Sequence, residues 1–188
     1  MTVQTNPIGI LALQGDYFEH GRVLKKLGHK FIYVKTPEEL IQVESLILPG
    51  GESTTMRKLA KQNKLWDRLK KFKGPMLGTC AGIILMAKEI TGPSEEGLGL
   101  LDVTIARNAY GSQINSFTDM GQYIQKKKNI EMVFIRAPQI TRIGERCEVI
   151  AEYKGQPVGV QQGNLIGLTF HPEISRNYDL IERFLSLK

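Results

Sequence analysis

The sequence predicts an α/β fold of three layers, a mostly parallel β-sheet flanked by helices and extended by added antiparallel strands. Three observations predict it. Short apolar runs rich in β-branched residues alternate with helical stretches through the first half of the chain, the pattern of a parallel sheet buried on both faces. The second half carries short strands at close spacing, with turn signals at Lys154-Gly155 and Gly163-Asn164. The 188 residues fit one domain at roughly 100–200 residues each. A chain of that length buries about 70% of its unfolded surface, enough to fold without a metal or disulfide staple.

Taken in order, the apolar runs Ile8–Leu13, Lys30–Val34, Ser45–Leu48 and Pro75–Thr79 read as the parallel strands. Between them, Tyr17–Leu27, Pro37–Val43 and Thr54–Lys70 read as helices. The last places Met56, Leu59, Ala60, Leu65 and Leu69 at roughly helical spacing. A further apolar helix, Ala81–Ile90, follows the fourth strand. Leu98–Arg107, Met132–Ile135, Cys147–Tyr153, Gln156–Gln161 and Leu165–Phe170 read as strands, the last three as an antiparallel meander. Asn177–Leu187 closes the chain as a helix. The segment Asn108–Lys128 is rich in Gly, Ser, Asn and Gln, shows no period, and reads as a long loop of the kind that is usually functional. One domain, residues 1–188, is expected.

Composition narrows the function classes. Apolar residues make up 41% and charged residues 23%, which is ordinary globular usage rather than disorder. The longest apolar run is a handful of residues near Ile83–Ala87, against about 20 for a membrane span, so no membrane partner is expected. Met1–Pro7 shows no basic segment followed by an apolar one, so no secretory signal is read there. Two cysteines without framework spacing, Cys80 and Cys147, fit a reducing, cytoplasmic compartment. The net charge is +6, and Arg57–Lys73 alone holds eight positive charges against one acid, Asp67. That stretch reads either as a docking face for an acidic partner or as a solvated helix face. No basic–aromatic interleaving and no zinc, RNA-recognition or helix-turn-helix signature occurs, so nucleic acid is not an expected partner.

The chemistry concentrates in Gly78-Thr-Cys80-Ala-Gly82. A strand runs into Gly-x-Cys-x-Gly and then into an apolar helix, the cysteine version of a nucleophile elbow. The sharp turn forces the central residue into strained geometry, and the flanking glycines remove side chains that would collide. The sulfur then stands over the first amides of the helix, whose partial positive charge favours thiolate. Lowering a thiol from about 8.5 to about 7 takes about 2 kcal/mol, within reach of a helix terminus plus an imidazolium. The bland reading is a buried strand-end cysteine, and the two glycines argue against it.

A thiol nucleophile needs a base. Of His20, His29 and His171, His171 stands at the end of a strand, in Phe170-His-Pro-Glu173. Residues i and i+2 of a strand share a face, so Glu173 can hold the imidazole's tautomer and stabilise its charged form. Pro172 restricts His171 to extended geometry. His20 and His29, on or just after the first helix, read as structural or surface residues. Leu48-Pro-Gly-Gly-Glu-Ser-Thr54 follows a strand and opens a helix. Its glycine pair lets an amide point into a site as one donor of an oxyanion hole, Gly51, with Ala81 as the other. Phosphate binding at that helix N-terminus is the competing reading. There is no Walker motif and no His/Cys/Asp grouping at metal spacing, so neither a cofactor nor a metal is expected.

These residues carry a resemblance. Gly-x-Cys-x-Gly, the upstream Pro-Gly-Gly and the late His-Pro-Glu resemble a class I, triad-type glutamine amidotransferase, which implies a flavodoxin-like arrangement of the layers. Within that class six ordered motifs resemble the family of glutaminase subunits of two-component pyridoxal 5′-phosphate synthases. They are Leu11-Ala-Leu-Gln-Gly15, Leu48-Pro-Gly-Gly-Glu-Ser-Thr54, Gly78-Thr-Cys-Ala-Gly82, Arg107-Asn-Ala-Tyr-Gly111, Phe134-Ile-Arg-Ala-Pro138 and Phe170-His-Pro-Glu173. The resemblance implies hydrolysis of L-glutamine to L-glutamate and ammonia through a γ-glutamyl thioester. The ammonia would pass, within a hetero-oligomer, to a (β/α)8-barrel synthase subunit that makes the vitamin B6 ring. It further implies Cys80 as nucleophile, His171 as base and Glu173 as its orienter. Gly51, Glu52, Ser53, Arg107, Ile135 and Arg136 would contact glutamine, with Gln14 near the oxyanion loop and the subunit interface. Ser112 departs from the family's usual second arginine. Two other classes stay open from the residues alone: a stand-alone cysteine hydrolase or peptidase, and a regulatory or scaffold protein that uses the basic face.

Overall fold

The computed structural model describes residues 7–92, 96–107 and 116–187. In chain order the first half comprises β1 (Ile8–Leu11), α1 (Tyr17–Lys26), β2 (Phe31–Val34), α2 (Pro37–Leu40), β3 (Ser45–Leu48), α3 (Ser53–Gln62), α4 (Trp66–Lys71), β4 (Met76–Thr79) and α5 (Ala81–Met86). The second comprises β5 (Ala87–Thr91), β6 (Leu101–Ala106), β7 (Ser116–Tyr123), β8 (Lys128–Ile135), β9 (Gln139–Ile143), β10 (Glu148–Tyr153), β11 (Gln156–Gln162), β12 (Leu165–Leu168) and α6 (Asp179–Leu185).

Nine strands form one mixed sheet in the order β2-β1-β3-β4-β12-β11-β10-β7-β8. The first five run parallel, and the rest add on antiparallel. The α/β architecture and the β10-β11-β12 meander follow the sequence reading. β1, β3 and β4 are buried along their whole length because both sheet faces are covered. Side-chain direction alternates along a strand, so Ile8, Ile10, Ile47 and Leu77 pack against α1 and α6. Leu11, Leu46, Leu48 and Met76 pack on the opposite side with α3, α4 and α5. Outside those helices a small sheet, β5-β6-β9, completes the second core. Among the described residues no helix is long and apolar enough to cross a membrane.

Four sequence assignments are corrected. The helix expected over Thr54–Lys70 is two helices. Lys64 takes φ 57°, Lys64 N–H donates to Lys61 O at 3.1 Å and Leu65 N–H to Ala60 O at 2.8 Å. That is a left-handed C-terminal cap built on a lysine instead of the glycine that would have marked it. The basic residues are therefore spread over two helices, and Lys61 and Lys70 share the Glu96 carboxylate at 2.8 Å each. The helix expected over Ala81–Ile90 stops at Met86. From Ala87 the chain pairs in parallel with β6, an edge that sequence periodicity cannot register. The aperiodic segment Asn108–Lys128 contains β7, whose mostly exposed, polar strand pairs with β8 over eight residues. Asn108–Asn115, including Ser112, lies outside the described residues. β12 ends at Leu168, so His171 and Glu173 stand beyond the strand and are brought together by a turn, Ile174 N–H donating to His171 O at 3.3 Å. β9, not among the strands expected from the sequence, is Gln-Ile-Thr-Arg-Ile, a short β-branched stretch paired with β6.

The parallel strands place their carboxyl ends along one edge, where the loops after β1, β3, β4 and β12 converge. Close packing there depends on Gly82. A Cβ on it would run into the Leu48 carbonyl of β3, so α5 approaches the sheet only through a glycine. Gly82→Ala is expected to destabilise the fold by about 1–3 kcal/mol, the usual range for an overpacked site, as a lower midpoint in denaturant unfolding. An unchanged midpoint would mean that α5 has room to shift.

Candidate active site

Cys80 is the N-cap of α5, with φ 49° and ψ −103°, a conformation that costs of order 1–3 kcal/mol for a residue with a side chain. The surrounding structure imposes it. Cys80 N–H donates to Leu168 O of β12 at 2.9 Å, Thr79 is locked in register beside Leu168, and Gly82 lets α5 fold back at once. The bend delivers Sγ into a cavity of about 570 Å³ at the sheet edge, where it donates to Ile135 O at 3.5 Å. Cys80 keeps 6% of its surface exposed, enough to line the cavity. Ala81 is the first residue of α5, so its amide has no intrahelical acceptor.

His171 lines the same cavity. Its backbone is fixed by Val133 O of β8, which accepts from His171 N–H at 2.8 Å. Its Nδ1 lies 2.7 Å from Glu173 Oε1 and 3.8 Å from Asp16 Oδ2. Its Nε2 is buried and closes no hydrogen bond among the described residues. Cys80 lines the same cavity and acts on the ring, and with Nδ1 taken by Glu173, Nε2 is the nitrogen left to meet the sulfur. Burial alone would lower the His171 pKa. Interaction with Cys80 and the hydrogen bond and charge of Glu173 outweigh it and push it up to about 10. Burial likewise opposes ionisation of Glu173, yet the His20 ring beside it and His171, through its hydrogen bond and charge, hold its carboxyl below the ordinary value. The line Cys80–His171–Glu173 can hold a proton on His171 across neutral pH. Because the His171 pKa is raised on folding, the stabilisation from its contacts is complete below the unfolded value of 6.5 and is lost as pH rises through about 10.

The loop after β3 supplies another wall. Gly50 packs against the His171 ring so closely that any Cβ would strike it, and Gly50 O accepts from Asp16 N–H at 3.0 Å. Gly51 takes φ 145°, open to glycine alone. Gln14 Oε1 accepts from Glu52 N–H at 2.8 Å, so the Gln14 side chain props this loop. Glu52 caps α3: its carboxylate accepts from Thr55 N–H at 2.8 Å and from the Thr54 and Thr55 hydroxyls at 3.0 and 2.9 Å. Burial opposes its ionisation, but these bonds keep its pKa low. A protein carboxylate thus occupies the α3 N-terminus, which corrects the phosphate-binding alternative. Arg107 reaches over to the same loop, its Nη2 3.1 Å from Glu52 Oε1. Ser53 lines the cavity, and its Oγ is buried without a hydrogen-bond partner among the described residues.

Every site residue expected from the sequence falls at this edge. Gln14, Gly51, Glu52, Ser53, Cys80, Arg107, Ile135, Arg136 and His171 line the cavity. Glu173 stands behind His171, and Ala81 follows Cys80. Among the ionisable residues, two were missed. Asp16 lines the cavity beside His171. His20, read as structural or surface, is 1% exposed and lies 3.5 Å from Glu173. Its position three residues after Tyr17 and four before Leu24, on the apolar stripe of α1, was the available signal. Asp16, His171 and Glu173 also bring ligand-type atoms within 4.8 Å of one another, a grouping not evident from sequence spacing. His171 Nδ1 and Glu173 Oε1 spend one atom each on the hydrogen bond they share at 2.7 Å.

Fold and site define a class I, triad-type glutamine amidotransferase. A sequence profile described as the SNO glutamine amidotransferase family matches residues 10–186, and the chain belongs to that family. It is 42% identical over 183 residues to pyridoxal 5′-phosphate synthase subunit PdxT of Thermosipho africanus, covering 96% of this chain and 97% of that one. It is 45% identical over 179 residues to the PdxT subunit of Haemophilus ducreyi, covering 95% of each. A crystal structure of a glutamine amidotransferase superposes with a TM-score of 0.89 at 42% identity, covering 95% of this chain and 96% of that one. A glutamine amidotransferase from Thermotoga maritima shares the fold at 18% identity, with a TM-score of 0.61 over 89% of this chain and 76% of that one.

Replacing Cys80 with Ser removes part of what raises the His171 pKa, so that pKa is expected to fall below about 10. An NMR pH titration of the imidazole checks this, and an unmoved value would mean that the sulfur does not face the ring.

Proposed function

We propose that this chain hydrolyses L-glutamine to L-glutamate and ammonia, and that it does so as the glutaminase subunit of a pyridoxal 5′-phosphate synthase. The observation that carries the reading is the strained Cys80 bend facing a His171–Glu173 pair across one cavity, in a chain of the SNO family.

Glutamine enters with its carboxamide toward Cys80. Arg107 is the cation placed to meet the α-carboxylate, with Glu52 holding its guanidinium. Ser53, Ile135 and Arg136 complete the contacts. The thiolate attacks the carboxamide carbon, and the carbonyl electron pair moves to oxygen, where the Gly51 and Ala81 amides donate to it. Each such donor is worth roughly 3 kcal/mol of transition-state stabilisation. When the tetrahedral intermediate collapses, the C–N bond breaks and His171 gives its proton to the departing nitrogen, releasing ammonia and leaving a γ-glutamyl thioester. His171, now neutral, takes a proton from water; the hydroxide attacks the thioester carbon, the C–S bond breaks, and glutamate leaves. Glu173 holds His171 by Nδ1 throughout, so that Nε2 remains the working nitrogen.

The ammonia passes to a (β/α)8-barrel synthase partner in a hetero-oligomer. Gln14 and Gly51 line the cavity and Gly51 is exposed, so a partner docked over this loop would meet them. The basic residues of α3 and α4 offer a second, charged surface, with Lys61 and Lys70 drawn toward Glu96.

Glutamate release is measured with and without the synthase partner. Wild-type chain is expected to turn over glutamine when the partner is present, and Cys80→Ala to lose at least about a thousandfold in rate. Wild-type turnover by Cys80→Ala would remove the thioester mechanism. Hydrolysis of other amides or peptides without any partner would favour a stand-alone hydrolase.

A further inference from the structure

One buried ionisable side chain behind the cavity has no part in the reaction above. His20, on α1, is 1% exposed. Its Nε2 lies 3.1 Å from Thr79 Oγ1 and 3.5 Å from Glu173 Oε1, while its Nδ1 is buried with no hydrogen-bond partner among the described residues. A neutral imidazole carries a single N–H. On Nε2 that hydrogen faces two acceptors and on Nδ1 it faces none, so the Nε2–H tautomer is assigned. Burial lowers the His20 pKa more than Glu173 raises it, and the ring is neutral. It can donate toward the carboxylate without placing a second positive charge beside His171.

We infer that His20 is a positioning residue of the triad. Its Nε2–H bonds Thr79, the residue before the nucleophile, and faces Glu173, the carboxylate that holds the base, at 3.5 Å, and so links the two ends of the site. The geometry has a direct consequence. Glu173 Oε1 takes a proton donor from His171 on one side and faces His20 on the other, so the carboxylate is held both in place and in its ionised form. Thr79 is wholly buried at the last position of β4, and its hydroxyl gives α1 a contact at the base of the Cys80 bend. The inference rests on the triad reading above.

Other charged groups surround this pair. On α1, Glu19, Arg22 and Lys26 line a second cavity behind Glu173, together with Tyr178. Asp16 lies before α1, at 3.8 Å from His171, and Cys80 lies beyond the ring. Among the described residues, the His20 and His171 rings are the groups within ion-pair distance of Glu173.

The test is the pH dependence of Cys80 alkylation by iodoacetamide, read on the Cys80 peptide by mass spectrometry. Cys147, held at 3.2 Å from Gln162 Oε1 and away from the triad, is the internal reference. His20→Phe fills the space without a donor, and His20→Gln restores an N–H near the Nε2 position. In His20→Phe the Glu173 carboxyl takes up a proton more readily, His171 loses its partner, and the acid limb of the alkylation profile moves to higher pH. His20→Gln moves it back toward wild type. With the synthase partner present, kcat for glutamine falls roughly tenfold in His20→Phe, a fraction of the ~10²–10⁴ that a positioned acid–base provides, while KM changes little. Thermal unfolding establishes that the variants fold. A folded His20→Phe with an unmoved profile, or a His20→Gln shifted as far as His20→Phe, overturns the inference. Nitrogen NMR of unsubstituted protein tests it without any variant: a His20 ring that is protonated, or carries its hydrogen on Nδ1, near neutral pH also overturns it. Alkylation needs no glutamine. A chain that shows the shift but hydrolyses no glutamine would contradict the glutaminase reading and leave this one standing.

Discussion

The buried Glu173 carboxylate is the constraint on which the site is built. At 3% exposure, a lone ionised carboxyl would take up a proton rather than stay charged. Two imidazoles prevent this, and each is delivered by a different element: His171 by the turn after β12 and His20 by α1. Once the carboxylate is charged, it fixes His171 by Nδ1 and leaves Nε2 aimed at Cys80. The protonation state of the base and the direction of its reactive nitrogen follow from one buried charge.

The fold sustains that arrangement because the strain is local and the support is broad. Cys80 is held in a disfavoured conformation by its amide's bond to β12, by close packing of α5 through Gly82, and by the register between β4 and β12. Gly50, from the loop after β3, closes on the imidazole from the other side. All these contacts arise at the carboxyl edge of parallel strands, where successive loops converge although the residues they carry lie far apart in sequence. Displacing any one strand end would move the nucleophile relative to the base.

Much of this was legible in the sequence, for physical reasons. The Gly-x-Cys-x-Gly spacing encodes a bend that only glycines can flank, and His-Pro-Glu places an imidazole and a carboxylate within reach whether a strand or, as observed, a turn joins them. The four strands read as parallel showed as apolar runs, three of them, β1, β3 and β4, because both sheet faces cover them. What escaped notice lacked local signatures. The α3–α4 break is capped by Lys64 instead of glycine, β7 is a polar strand stabilised by pairing with β8, and β5 continues an apolar run that reads as helix. The place of His20 beside Glu173 did not show, because a histidine on an apolar stripe looks the same in sequence whether it is merely buried or buried against a carboxylate. Asp16 gave no signal, since its approach to His171 depends on two loops meeting.

The most direct measurement is a rapid acid quench of this chain turning over glutamine with the synthase partner present, followed by peptide mass analysis. The account predicts one γ-glutamyl group, on Cys80 and nowhere else, formed no later than ammonia is released. Ammonia released at full rate with Cys80 unmodified throughout, or with its sulfur already blocked, would contradict it.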